Sequence, residues 1–290
     1  ARRLKARAHR AHAMEEAMNG VTALEVMRTL PPRIENDFRR VGKEFVKLAD
    51  IILRRGNLVM NATCEQPLFA TLQPLLADIA GVLPEGASAP VERTAPAFPK
   101  REGLSIPAQV NYVGKGANVY EHGIEYHGSL NAASKFLRTG YLWEKIRVLG
   151  GAYGGFTVFD RSSGSLSFLS YRDPNVEKTI ENYDGVADYL KNLDLSDDEL
   201  QKSIIGAIGE VDAYQLPDAK GFTAFVRALT NDHEEGRARM REEILSCTAE
   251  DFKRLAKAAE IVANHGDIVV MGNEPAMDVS GLDLEMKGIL

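Results

Sequence analysis

The sequence predicts an α+β fold in which a mostly antiparallel sheet carries helices packed on one face. Three observations lead to it. Two apolar runs, 153–159 and 165–171, flank the turn-forming Asp160-Arg161-Ser162-Ser163-Gly164, which is the pattern of a hairpin. Upstream, Leu104, Ile106, Ala108, Val110 and Tyr112 alternate with Ser105, Gln109 and Asn111, as on a strand with one buried side. After the hairpin comes a run of segments with helical periodicity and helix-start signatures.

Taken in order, the first ten residues are Arg-rich, as in a transit peptide. Glu15 and Glu16 follow closely and the stretch continues Ala-rich, so it reads as a helix. The chain starts without Met and reads as a processed or excised piece. Ile34, Phe38, Val41, Phe45, Leu48 and Ile52 recur at spacings of three and four, which predicts an amphipathic helix over 34–55 that Gly56 ends. Residues 57–63 read as a strand, and 66–83 as a helix with Pro67 near its start. Pro84, Gly86, Pro90, Pro96 and Pro99 mark 84–103 as a linker. Residues 128–149 read as a helix in two pieces around Gly140.

Asp173-Pro174 offers a capping side chain followed by proline at a first helical position. Val176, Ile180, Tyr183, Ala187 and Leu190 form the buried stripe of that helix. Ser196-x-x-Glu199 is a capping box, and Thr248-x-x-Asp251 a weaker one. Residues 268–271 form a last strand. One echo runs through the chain. Leu48…Gly56-Asn57-Leu58-Val59-Met60 and Leu255…Gly266-Asp267-Ile268-Val269-Val270-Met271 each precede a Glu and a Pro. Two copies of one domain ending, or coincidence of common elements, account for it equally.

The chain has 290 residues, 44% of them hydrophobic, which suffices for an ordinary core. No apolar run approaches the roughly 20 residues of a membrane span. The two cysteines, Cys64 and Cys247, are far apart, which excludes a disulfide framework and fits a reducing compartment. The formal charge of -6 is uneven. Residues 1–60 carry 13 Lys/Arg against 7 Asp/Glu, a net of +6, so 61–290 hold -12. An acidic body repels nucleic acid and favours cationic partners.

Motifs for local chemistry are scarce. His9 and His12 lie three apart among arginines that disfavour a cation. His122-Gly123-Ile124-Glu125-Tyr126-His127 is one residue too long for an inverted zincin motif. The glycines of Gly150-Gly151-Ala152-Tyr153-Gly154-Gly155 have the wrong spacing for a phosphate loop. They suggest instead a backbone that approaches something closely, with Tyr153 standing clear. Arg147 precedes them near a helix end, where it is either a cap for the last carbonyls or a functional cation.

Residues 141–155, Tyr-Leu-Trp-Glu-Lys-Ile-Arg-Val-Leu-Gly-Gly-Ala-Tyr-Gly-Gly, resemble the C-terminal half of the presequence proteases. These are the organellar branch of the pitrilysin/insulinase zinc metallopeptidases. The runs 106–115, 170–175 and 212–221 are similar to the same family, in the same order, and Asn61-Ala62-Thr63 resembles the end of its preceding domain. Plant and algal members look most alike. The resemblance implies four related domains in two halves around a chamber. It places the end of the third domain at 1–83, a linker at 84–103 and the fourth domain at 104–290.

The resemblance further implies that Arg147 and Tyr153 form the family's Arg/Tyr pair, which binds substrate and assists catalysis at a distant zinc. Zinc would be held by the N-terminal half through His-x-x-Glu-His, not by this chain, which alone would be inactive. The implied substrates are cleaved targeting peptides and other short unfolded peptides, in the mitochondrial matrix and/or the chloroplast stroma. Neither nucleic acid nor a membrane is an expected partner. A non-catalytic binding or assembly subunit on the same fold is the alternative. A free-standing zinc enzyme using His122 and His127 is a further one.

Overall fold

Six strands align into one sheet in the order β3-β4-β2-β5-β1-β6. They are β1 (Arg101–Ser105), β2 (Tyr112–Asn118), β3 (Gly154–Asp160), β4 (Ser165–Tyr171), β5 (Asp267–Gly272) and β6 (Glu285–Gly288). The pairings β3–β4, β4–β2 and β2–β5 are antiparallel, and β5–β1 and β1–β6 are parallel. The chain is thus α+β with a mostly antiparallel, mixed sheet. The computed structural model describes residues 1–89 and 96–290. Positions 90–95 of the expected linker, Pro90 among them, lie outside the described residues.

The hairpin is as expected from the sequence: β3 and β4 pair from Gly154↔Tyr171 to Asp160↔Ser165. The alternating run 104–112 is not one strand. β1 ends at Ser105, β2 begins at Tyr112, and β5 lies between them in the sheet. Pro107 has no N–H for a ladder. Asn111, fully buried, forms an isolated bridge with Asp173 instead of extending a strand.

The helices before the sheet are α1 (Arg2–Ala8), α2 (Arg10–Asn19), α3 (Val21–Ile52) and α4 (Gln66–Gly81). Those after β2 are α5 (Ser129–Thr139), α6 (Glu177–Asp184), α7 (Val186–Lys191), α8 (Asp197–Val211), α9 (Pro217–Thr230), α10 (Glu234–Leu245), α11 (Phe252–His265) and α12 (Glu274–Asp278). Among the described residues no helix is long and apolar enough to cross a membrane. The chain divides into two compact units, one of Ala1–Ala23, Ala95–Asp212 and Ala238–Leu290, the other of Leu24–Thr94 and Ala213–Arg237. The first two helices, α1 and α2, therefore belong to the same unit as the sheet.

In the first unit α5, α6, α7 and α11 cover one face of the sheet. Leu166 and Phe168 of β4 and Ile268 and Val270 of β5 meet Leu130, Leu137, Leu255 and Val262 in one core. The stripe Val176, Ile180, Tyr183, Ala187 and Leu190 is buried throughout, although Gly185 divides it between α6 and α7. α6 starts at Glu177 rather than at Pro174. The Asp173 carboxylate accepts from the Asn175 N–H and the Thr179 hydroxyl, which caps a turn ahead of the helix. Both capping boxes form, Ser196 with Glu199 and Thr248 with Asp251.

The opposite face is partly covered too. Side chains alternate across a strand. Lys115 of β2 reaches Asp184 and the Ala263 carbonyl on the helical side. A Cβ built on Gly114 would lie 2.8 Å from Leu4 of α1, on the other side. A buried ionic cluster pins α1 there. Arg3 donates to both oxygens of Glu102 at 2.9 and 2.6 Å, and Arg7 donates to the same carboxylate at 2.6 Å. Arg3 also meets Glu16 of α2 at 2.8 Å and stacks on Phe98. Lys5 and His12 both reach Asp160 at the hairpin, at 3.0 and 2.8 Å.

The second unit holds most of α3, with α4 and α9. The helix expected over 34–55 is part of the longer α3, which carries Pro31 and Pro32 and kinks at Asp37 (φ -152°, ψ 72°). Asp37 caps the second half by accepting from the Arg40 N–H. The apolar stripe of this helix is not covered as the periodicity suggests. Val41 is buried, but Phe38 is 72% and Phe45 57% exposed. Nor do residues 57–63 form a strand. A 3-10 turn, Arg55–Asn57, follows α3, and the described residues offer no neighbouring strand in this unit to pair with it. The sequence echo with 266–271 thus has no structural counterpart here.

The clamp on α1 makes a pH-dependent prediction. Burial pushes the Glu102 carboxyl up, but hydrogen bonds from Arg3 and Arg7 more than offset this and hold it below the ordinary glutamate range. Asp160 is likewise pushed up by burial and pulled further down by Ser162 and Lys5. A carboxylate with a depressed folded pKa stabilises the fold above its unfolded value and ceases to as pH falls through its folded value. Stability in thermal melts should therefore drop below about pH 4. Glu102→Ala should cost about 3–5 kcal/mol at pH 7, since two guanidiniums lose their shared partner. It should also blunt the acid drop. A variant that melts like the parent at both pH values would remove the clamp.

Candidate functional site

After α5 ends at Gly140, the chain does not resume an ordinary helix. Residues Trp143–Val148 form a π-helix, in which the Leu149 N–H bonds to the Glu144 carbonyl five residues back. Such widened turns are rare and are frequently found at functional sites. This one is anchored from below. Leu142 and Ile146 are buried in the core, and the Tyr141 hydroxyl donates to the Asn182 carbonyl at 2.9 Å. Trp143 and Arg147 point outward, one π-turn apart.

The glycines do allow a close approach, and the partner is the π-helix itself. A Cβ on Gly155 would lie 3.0 Å from the Ile146 Cβ and 3.1 Å from the Leu142 carbonyl. Gly151 sits at φ +78°, in the left-handed region. Between them Tyr153 enters β3 with its N–H bonded to the Tyr171 carbonyl at 3.0 Å. Tyr153 is 63% exposed.

Arg147 does not cap the helix. Its guanidinium carbon lies 4.1 Å above the Trp143 ring and 5.6 Å from the Tyr153 ring. Among the described residues no hydrogen bond or ion pair engages it. Stacking occupies the face of the guanidinium and leaves its in-plane N–H donors available. The structure thus brings the two expected site residues, Arg147 and Tyr153, together in one exposed group.

That group extends further than the sequence indicates. Tyr153 packs edge-on against Tyr171 at 5.8 Å, and Tyr171 against Tyr112 at 5.4 Å. Arg172 stands 5.8 Å over the Tyr171 ring with φ +51°, an uncommon conformation for a side chain of this size. What holds it there is its neighbour. Asp173 is fully buried and exchanges backbone hydrogen bonds with Asn111 at 2.8 Å. Asn175 then donates from its side chain to the Gly150 carbonyl at 2.6 Å, which ties this turn to the glycine loop. Trp143, Tyr171 and Arg172 were not singled out from sequence for the site. The spacing of four between Trp143 and Arg147 on one helical turn was the available signal.

The histidines go elsewhere. His122 stacks on His265 at 4.6 Å, while His127 bonds Ser129 at 2.8 Å. Among the described residues no group of three or more His, Cys, Asp or Glu side chains converges to hold a metal ion. Cys247 is buried, with its thiol pushed up to about 12 by burial and Asp251, far from a reactive thiolate.

Residues 101–274 match the family model described as the PreP C-terminal domain. The chain is 40% identical over 268 residues to presequence protease 1, chloroplastic/mitochondrial, of Arabidopsis thaliana, covering 92% of this chain and 25% of that protein. It is 26% identical over 256 residues to the mitochondrial presequence protease of Saccharomyces cerevisiae, covering 84% of this chain and 26% of that one. The crystal structure of pitrilysin shares the fold, with a TM-score of 0.51 at 14% identity over 85% of this chain and 28% of that chain. The chain spans about a quarter of the length of these curated relatives.

The frame around Arg147 can be tested without a substrate. Gly155→Ala should push β3 off the π-helix, because neither a β-branched side chain nor a backbone carbonyl yields easily. We expect a loss of about 1–3 kcal/mol. Trp143 is the single tryptophan, so its emission reports the local change. Unchanged stability and emission would mean the close packing does not position the turn.

Proposed function

The chain belongs to the presequence-protease (PreP) family, matching its C-terminal domain over residues 101–274, and from that premise we propose that it is the C-terminal part of a zinc-dependent oligopeptidase. In this reading the whole protein degrades cleaved targeting peptides and other short unfolded peptides. This chain contributes Arg147 and Tyr153 to an active site completed by the N-terminal half. The observation that carries the reading is the exposed Arg147–Tyr153 pair on its buried π-helical frame, with no hydrogen bond or ion pair to the guanidinium among the described residues.

The two side chains suit complementary roles. When a peptide carbonyl is attacked, negative charge develops on its oxygen. The Tyr153 phenol, placed at that oxygen, stabilises the charge more than it stabilises the ground state. The Arg147 N–H fork holds substrate backbone carbonyls and adds positive potential. Its stacking on Trp143 limits the side-chain entropy lost when substrate binds. Zinc, when bound by the whole protein, supplies the activated water. The residues described here do not form a site for it, and its ligands are assigned to the N-terminal half.

Two further features support the reading. The exposed apolar stripe of α3, with Phe38 and Phe45, fits a surface that another part of the protein covers. The net charge of -12 over 61–290 has the sign to attract basic targeting peptides. The Arabidopsis relative is chloroplastic/mitochondrial and the yeast one mitochondrial. The matrix or the stroma is accordingly the proposed compartment.

In the full-length protein, Tyr153→Phe should lower kcat by about 100- to 1,000-fold, the scale of one lost oxyanion donor, with zinc content unchanged. Near-normal kcat would remove Tyr153 from the mechanism. This chain alone should cleave no peptide. Full-length protein that binds peptides without cleaving them would favour a non-catalytic assembly role.

A further inference from the structure

The second face of the sheet is hollow next to the candidate site. A cavity of about 370 Å³ lies between this face and the α1–α2 segment. Leu4, Leu104, Tyr112, Phe156, Leu169 and Met271 line it. Leu104 is 2% exposed, whereas Phe156 and Tyr171 are 40% and 42% exposed, so the floor is at β1 and the mouth is at the β3–β4 end. The charged side chains on its rim are all paired, Arg3 with Glu16 at 2.8 Å and Arg2 with Glu15 at 3.1 Å. The interior therefore offers apolar burial and aromatic contact rather than an ion partner.

Tyr171 links this cavity to the site. It lines the cavity, and its ring packs against both Tyr153, at 5.8 Å, and Tyr112, at 5.4 Å. A peptide lying on Tyr153 thus runs past the mouth. The cavity volume is at the lower end of the roughly 300–1,000 Å³ typical of small-molecule pockets. That is room for one large side chain, not for a folded segment.

We infer that this cavity is a specificity subsite, which accepts one aromatic or large aliphatic side chain of the peptide held by Arg147 and Tyr153. The inference rests on the proposed function. It adds a selective element that the Arg/Tyr pair lacks, since that pair touches only backbone atoms and reacting oxygens.

The test uses the full-length protease and alanine-based peptides in which a single Phe is walked along the chain. At one position Phe should raise kcat/KM about 10- to 100-fold over Ala, the scale of burying one large apolar side chain. Leu169→Trp, which fills the cavity, should remove most of that preference and leave the all-Ala peptide within about twofold. An undiminished preference in a folded variant overturns the subsite. A second measurement requires neither the variant nor turnover. A peptide with benzoylphenylalanine at the preferred position, or walked likewise if nothing is cleaved, should photolabel Met271 or Leu169, with Phe peptides competing. Labelling confined to other residues overturns the subsite, including the case in which another segment of the full-length protein fills the cavity. Absent cleavage of every peptide would instead count against the protease reading, and the label would still decide the subsite.

Discussion

The placement of Arg147 depends on how closely β3 presses against the π-helix at Gly155. Leu142 and Ile146 are held in the core on one side of that contact, and the side-chain-free strand on the other. With the turn gripped from beneath, Trp143 and Arg147 have only the outward direction left. The guanidinium then settles on the indole, 4.1 Å away, and among the described residues its donors stay unspent. Nothing in this arrangement draws on a charged partner. A cation meant to bind a ligand must not be neutralised first by its own protein, and an aromatic face orients it without that cost.

The other face of the sheet is organised by a different interaction. Glu102, buried on β1, is shared by Arg3 and Arg7, and together they bring α1 across strands to which its few apolar residues could attach it only weakly. A short helix held by ions rather than by a broad apolar stripe does not fill the space beneath it. The cavity next to Tyr171 is the space left over. Ion-pair docking of α1 and the hollow on that face are in this sense one feature.

Elements specified by local chemistry were legible in the sequence. The hairpin at Asp160–Gly164, the boxes at Ser196 and Thr248, and the stripe through Tyr183 each depend on residues within a turn or two of one another. Elements that depend on distant partners were not. Alternation in 104–112 has the strand period, but β5, more than 150 residues away, separates β1 from β2 in the sheet. The run 57–63 has the composition of a strand and no strand beside it. The periodicity of 34–52 states which side of α3 is apolar and says nothing of what covers it. At the site, Arg147 and Tyr153 were named through family resemblance, because spacing alone favoured a capping role for Arg147. Trp143 and Arg172 escaped because their roles arise from a π-turn and a left-handed backbone, neither of which has a composition.

The widened turn also carries a trace of how such a site could arise. A π-helix holds one residue more per turn than the α-helix it interrupts. Removing a single residue between Trp143 and Val148 would restore the narrower helix. Everything beyond the deletion would then rotate by about 100° relative to the core. With Leu142 and the strand fixed, Arg147 would turn off the indole while the fold around it survived. In this family of sheets, the step between a domain that merely packs and one that presents a cation need be no larger than a one-residue insertion.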